Sequence, residues 1–138
     1  MRYVLTADGG TESLRVRIYA LDGTCVASHA ERYETKFLSG ARAEQNAEDW
    51  WVSLVKATNI CLNKANISGD AIDAMAYATT CCTVVALDKV GKPLRPALMW
   101  MDVRANEEAQ AVLDTRDKRL VLNGNGQGPV SAEWMIPK

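Results

Sequence analysis

The stretch Tyr3-Val-Leu-Thr-Ala-Asp-Gly-Gly-Thr-Glu-Ser-Leu-Arg-Val-Arg-Ile-Tyr-Ala-Leu-Asp22 reads as strand, tight turn, strand. Tyr3 to Ala7 is a short β-favouring run. Leu14, Val16, Ile18 and Ala20 alternate with Arg15, Arg17 and Tyr19, the period-2 pattern of a half-buried strand. Between the two runs lies Asp8-Gly9-Gly10-Thr11-Glu12-Ser13. Gly9 and Gly10 are expected to supply positive φ and to let backbone approach a ligand closely. Successive N–H groups in such a turn form an anion-binding concavity. Thr11 and Ser13 add hydroxyl donors, and Arg15 adds a fixed positive fork. Asp8, at the end of the first strand, is placed to hold Mg²⁺ through water, because Mg²⁺ prefers carboxylate oxygen and keeps much of its hydration. Together these features predict a cradle for nucleotide phosphates.

Length and composition bound the function. The chain has 138 residues, one domain's worth, and 48% of them are hydrophobic, enough for a real core. A formal charge of -1 gives no electrostatic case for nucleic acid or an anionic membrane as partner. No basic-apolar-small signal pattern opens the chain and no run is long enough to span a bilayer, so a soluble cytoplasmic protein is expected. Cys25 and Cys61 stand alone and Cys81 and Cys82 are adjacent. That spacing suits neither a zinc knuckle nor an ordinary disulfide, and reduced, mostly buried thiols are expected.

After the Asp22-Gly23 turn, Cys25 to Arg32 reads as a third strand, completing an antiparallel meander. Val26, Ser28 and Ala30 are expected on its inner face, with His29 exposed. Glu34 to Gln45 reads as irregular. Asn46 opens a helix as N-cap, with Asp49 in the capping-box position and Glu48 and Asp49 complementing the dipole. Trp50, Trp51, Leu54, Val55, Thr58, Ile60, Cys61, Leu62 and Ala65 form its apolar face, and Ser68-Gly69-Asp70 ends it. Ile72 to Thr80 and Thr83 to Leu87 read as one or two strands buried on both faces. Asp88 to Pro93 reads as a turn, Leu94 to Met101 as extended, Ala105 to about Leu113 as a helix, and Leu120 to Gly128 as a loop. Ser131 is placed to cap a short helix over 132–135. The strand–helix–strand alternation predicts an α/β layered domain.

The order Asp8-x-Gly10-Thr11-x-Ser13-x-Arg15, the Asp22-Gly23 turn, Ala43-Glu44-Gln45-x-x-Glu48-Asp49-Trp50-Trp51, and Leu94-Arg95-Pro96-Ala97-Leu98-Met99-Trp100-x-Asp102-x-Arg104 resembles the N-terminal part of the FGGY carbohydrate kinases. These are sugar and polyol kinases that include xylulokinase, ribulokinase and glycerol kinase. The resemblance runs from about Tyr3 to Lys138. It implies an actin-like, ribonuclease H-like domain fragment, a mixed sheet that starts with a three-strand antiparallel meander and is flanked by helices.

The resemblance further implies ATP and Mg²⁺ as cofactors and a small sugar or polyol as substrate. Asp8 matches the carboxylate that helps hold Mg²⁺. Gly10, Thr11, Glu12, Ser13 and Arg15 match the phosphate-facing loop, although Glu12 stands where glycerol kinases have Thr and is expected to contribute only backbone N–H. Cys81 and Cys82 fall where xylulokinases place a Met-His pair and glycerol kinases an Arg-Glu pair, so neither specificity pair is present. The Thr-Cys-Cys-Thr stretch is closer to the ribulokinase side. Trp100, Asp102 and Arg104 match the segment bordering the sugar pocket. The family's general-base Asp and its adenine-binding second domain lie beyond residue 138, so no catalytic residue is expected within residues 1–138. A non-catalytic ligand-binding module and a homodimerisation domain of the same superfold are the alternative classes.

Overall fold

The computed structural model describes residues 2–122 and 130–138, which divide into two compact units. The first comprises Met1–Thr35 and Asn46–Thr80, the second Lys36–Gln45 and Cys81–Lys138.

In the first unit, β1 (Tyr3–Gly9), β2 (Ser13–Ala20) and β3 (Cys25–Arg32) form the expected meander. A fourth strand, β6 (Ile72–Thr79), pairs parallel with β1, giving the mixed order β3-β2-β1-β6. The helix α1 (Ala47–Ala65) packs on β2 and β3. It buries the face that carries Leu5 and Ala7 from β1, Leu14, Val16 and Ile18 from β2, and Ala27 from β3, against its own Ala57 and Cys61. Burying one large aliphatic side chain such as Leu14 or Ile18 contributes about 1.5–3 kcal/mol. Asn46 caps α1 by accepting from the Glu48 N–H at 3.3 Å, while its Nδ2 donates to the Asp49 carboxylate at 2.9 Å. The helix ends at Asn66, whose left-handed φ of 51° lets the N–H groups of Asn66 and Ile67 bond the Asn63 and Leu62 carbonyls.

Several expectations for this unit are corrected. On β3 the buried residue is Ala27, 7% exposed, whereas Val26 is 37% exposed and Ser28 and Ala30 face outward. The cause is pairing: Ile18 faces Ala27 and Tyr19 faces Cys25, a bulge that skips Val26 and turns Ala27 and His29 toward the core face. His29 is therefore half-buried, with Nε2 2.6 Å from Glu31, which also accepts from Lys56 on α1 at 2.7 Å. On α1, Trp51 and Val55 are exposed, whereas Cys61 is buried as expected, Leu54, Leu62 and Ala65 pack half-buried against the core, and Ser53 and Ala57 complete the buried row. β6 is not buried on both faces. It pairs only with β1 among the described residues, and α1 lies over β2 and β3, which leaves Met75 and Tyr77 half-exposed.

In the second unit, β4 (Lys36–Leu38) and β5 (Arg42–Gln45) form a hairpin within the stretch expected to be irregular, and β5 pairs antiparallel with β7 (Ala97–Leu98). Ala43 and Gln45 alternate inward from Arg42 and Glu44. Thr83 to Leu87 forms isolated bridges, Val84 to Leu98 and Leu87 to Pro93, and no strand. The turn between Leu87 and Pro93 is the expected one: Asp88 Oδ1 accepts from the N–H groups of Val90 and Lys92, and Gly91 takes φ 83°. The helix α2 (Asn106–Asp114) presents Glu107, Glu108 and Gln110 outward as expected. Lys118–Leu122 is a 3₁₀ turn rather than the start of a loop, and the remainder of the expected loop, 123–128, lies outside the described residues. Ser131 caps a single turn at Glu133 and no helix follows.

Candidate functional site

Asp8 is the penultimate residue of β1, next to Gly9, and Arg15 stands opposite it on β2. Both side chains are exposed. Neither makes a hydrogen bond or ion pair among the described residues, so a carboxylate and a guanidinium flank the turn with their valences open to solvent. Gly10 N–H donates to the Ser13 carbonyl at 3.0 Å and closes the turn, leaving Gly10, Thr11 and Glu12 as its connection. Glu12 is exposed, and Thr11 and Ser13 are half-buried.

The glycines do not act as expected. Neither Gly9 nor Gly10 has positive φ. Space constrains only the second of them: a Cβ at Gly10 would stand 3.3 Å from the Ser13 carbonyl oxygen, whereas one at Gly9 would meet Thr79 Cγ2 at 3.4 Å, an ordinary contact. The turn is held from beneath. The Tyr33 hydroxyl donates to the Gly10 carbonyl oxygen, the Tyr33 N–H donates to the Glu12 carbonyl at 3.2 Å, and the Thr80 N–H donates to the Gly9 carbonyl at 3.2 Å. Burial, with smaller contributions from Tyr77 and Asp8, pushes the Tyr33 phenol up to about 12. Tyr33 has no local sequence signal, since its bond to Gly10 spans 23 residues.

In the second unit Asp102 is 0% exposed. Its carboxylate accepts from the Ala43 N–H at 2.8 Å, from the Arg104 N–H at 3.0 Å, and from the Arg104 Nε and Nη2 at 2.9 and 2.7 Å. Burial alone would raise this carboxyl, but the bonds from Arg104 and from the two backbone N–H groups outweigh it and hold it at about 2. Arg104 Nη2 also reaches Glu44 at 2.7 Å, and Glu44 receives Arg95 at 2.8 Å. Glu44 and Arg95 stand within the quoted motifs, yet nothing in their spacing reveals that they meet. Trp100 is 38% exposed in the turn between Met99 and Asp102. Lys138 Nζ donates to the carbonyls of Met99 and Trp100 at 2.7 and 3.0 Å and to that of Cys82 at 3.4 Å.

The thiols depart from expectation. All four are free, but only Cys61 is buried; Cys25 and Cys81 are exposed and Cys82 is half-buried. Among the described residues, no cluster of three or more His, Cys, Asp or Glu could hold a metal, and no helix is long and apolar enough to cross a membrane. A pocket of about 240 Å³ beside α1 is lined by Glu31, Tyr33, Asp49, Ser53 and Lys56 among others, and none of the sequence-predicted site residues borders it.

The fold and these motifs have counterparts among known proteins. The xylulose kinase of Staphylococcus xylosus is 26% identical over 123 residues, covering 89% of this chain and 24% of that protein. Among solved structures, a xyloylose kinase from Brucella ovis superposes with a TM-score of 0.88 at 18% identity, over 99% of this chain and 28% of that one. The glycerol kinase of Plasmodium falciparum, solved with ADP, gives a TM-score of 0.80 at 21% identity, over 97% of this chain and 27% of that one. The chain thus spans about a quarter of the length of these relatives. Its mixed sheet and helices have the actin-like fold of sugar kinases. Residues 3–131 match the model for the N-terminal domain of the FGGY family of carbohydrate kinases, and to that family the chain belongs.

Proposed function

We propose that this chain supplies the phosphate-facing hairpin and one wall of the sugar pocket of a kinase that transfers the γ-phosphoryl of ATP to a hydroxyl of a pentulose or a related ketose or polyol. The observation that carries the reading is the Asp8–Arg15 pair, which flanks the β1–β2 turn, exposed and with no side-chain hydrogen bond or ion pair among the described residues. Phosphoryl transfer asks a protein mainly to position two reactants and to neutralise phosphate charge. Arg15 and the N–H groups of Thr11 to Ser13 would meet the phosphate oxygens. Asp8 fits hydrated Mg²⁺, because an exposed carboxylate with no competing donor accepts bonds from a metal's water ligands. When bound, Mg²⁺ neutralises charge on the phosphates. Glu12, a carboxylate, would offer its backbone N–H while its side chain stays in solvent.

On the sugar side, Cys81, Cys82, Trp100 and Arg104 would border the substrate. Asp102, being buried, would serve by holding Arg104. The resemblance to the ribulokinase side of the family, carried by Thr80-Cys81-Cys82-Thr83, favours a pentulose.

The family's general base and adenine-binding domain correspond to sequence beyond residue 138, and the 138-residue chain alone is therefore expected not to turn over. Loss of the base alone lowers the rate by roughly 10²–10⁴. The test is a coupled ADP-release assay with a panel of pentuloses, hexuloses and polyols, run on this chain and on a parent protein of the relatives' length. Turnover by the parent that falls in Asp8→Asn supports the reading. Ligand binding without turnover in the parent would identify a non-catalytic module instead.

A further inference from the structure

We propose that Cys81 and Cys82 form a dithiol site that chelates a soft, thiophilic centre with two open valences, of the class of trivalent arsenicals. Neighbouring residues of an extended chain point to opposite sides, so adjacency in sequence does not by itself bring two thiols together. Here Cys82 takes φ 61°, a left-handed conformation rare for a residue with a Cβ. Its thiol then donates to Cys81 Sγ at 3.7 Å. The hydrogen bond from Lys138 Nζ to the Cys82 carbonyl, together with those to Met99 and Trp100, fixes the turn that carries the pair. Cys81 is exposed and Cys82 half-buried, so a reagent meets Cys81 first.

The separation selects the chemistry. An ordinary disulfide has sulfurs about 2.05 Å apart and Cα atoms usually at least about 4.4 Å apart, whereas adjacent residues hold their Cα atoms at about 3.8 Å, so a disulfide here would be strained. A pyramidal arsenic(III) with bonds of about 2.3 Å to each sulfur, meeting at roughly a right angle, spans about 3.3 Å, a few tenths of an ångström inside the 3.7 Å observed. Zinc in a closed site takes four ligands, and no third or fourth metal-binding side chain joins the pair among the described residues. A soft centre that needs only two thiolates is left.

The reaction balances without an oxidant. Cys81 sulfur attacks the arsenic of an organoarsenic(III) oxide, Cys82 sulfur closes the ring, and two As–S bonds replace the As=O bond. Both thiol protons leave with the oxygen as water. The hydrogen bond to Cys81, with burial, holds the Cys82 thiol above its usual range, consistent with Cys81 entering first. This inference does not rest on the kinase reading.

The experiment titrates the 138-residue chain with phenylarsine oxide and reads the adduct by intact mass, then locates it by peptide mapping of the unsubstituted protein. The expected result is one arsenical per chain, mapped to Cys81 and Cys82, resistant to excess monothiol and removed by a dithiol. It should persist in Cys25→Ser and vanish in Cys81→Ser and in Cys82→Ser. Because the fold positions the pair, a synthetic peptide of residues 78–85 should bind about tenfold more weakly or worse. An adduct mapped elsewhere, one reversed by monothiol, or a peptide that binds as tightly as the chain would overturn the proposal. The mapping and peptide arms need no variant to fold.

Discussion

Asp8 and Arg15 face each other directly across the β1–β2 pair and yet form no salt bridge. An exposed cross-strand pair of opposite charge would contribute well under about 1 kcal/mol if it closed. Left open, it can serve a ligand. Asp8→Asn and Arg15→Ala should therefore each change the chain's stability by no more than about 0.5 kcal/mol, as exposed substitutions do. In a parent kinase, Arg15→Ala should cost a few kcal/mol of transition-state stabilisation, as single charge-stabilising donors do, and Asp8→Asn should lower kcat. Urea melts of the chain and steady-state kinetics of the parent separate the two effects. A large stability loss in either variant would assign the pair to the fold.

The two glycines of the turn should respond differently. The nearest atom to a Cβ at Gly10 is the Ser13 carbonyl oxygen at 3.3 Å, a backbone atom locked by its own bond to Gly10 N–H, so Gly10→Ala should cost about 1 kcal/mol. At Gly9 the nearest atom is a threonine methyl at 3.4 Å, an ordinary contact. Gly9→Ala should be neutral, or stabilising by about 0.5 kcal/mol through the unfolded chain. Equal urea midpoints for the two variants would contradict this.

Tyr33 should give the chain an alkaline limb. Its folded-state value of about 12 lies above the 10.0 of an ordinary phenol, so the protonated form is the one the fold favours. The associated stability is fully present below pH 10 and is lost as pH rises toward 12, by about 1–2 kcal/mol after allowance for its partial exposure. Burial raises Tyr77 in the same direction. Tyr33→Phe removes the bond to Gly10, costs about 1 kcal/mol near neutrality, and should flatten this limb. Thermal melts from pH 8 to pH 11 on both proteins provide the check; an unchanged slope would assign the limb elsewhere.

The meander and α1 were legible because each announces itself locally, through the alternation Leu14, Val16, Ile18 and through the Asn46 cap. What was illegible depends on partners far along the chain. The inner face of β3 is chosen by its pairing with Ile18 and a bulge at Val26, against the hydrophobicity of Val26 itself. The β4–β5 hairpin reads as polar loop because Lys36, Arg42 and Glu44 dominate its composition, and the acceptor for the Ala43 N–H, Asp102, is 59 residues away. At the site, residue types were readable but their burial was not. Asp8 and Asp102 are both carboxylates in the quoted motifs, and only the structure separates the exposed one from the enclosed one.

Asp102 sets the last expectation, an acid limb with a mechanism distinct from surface charge. Its folded-state carboxyl titrates at about 2, below the ordinary 3.8. A depressed carboxyl contributes stability that is fully present above pH 4 and is lost as pH falls from about 4 to about 2. Each pH unit is worth about 1.4 kcal/mol, so the loss is of order 2 kcal/mol. Asp102→Asn keeps an oxygen for the Ala43 N–H but removes the charge that faces Arg104. Arg104 would retain Glu44 at 2.7 Å, which softens the loss, and the variant should be destabilised at pH 7 by about 2–4 kcal/mol. At pH 2 the unsubstituted carboxyl is itself half protonated and most of the charge-linked stability is gone, so the difference between the two proteins should shrink by about 2 kcal/mol, to about 0–2 kcal/mol. Urea titrations of both proteins at pH 7, 4 and 2 measure it. A stability difference independent of pH would show that Asp102 acts through shape and hydrogen bonding alone, with no contribution from its charge.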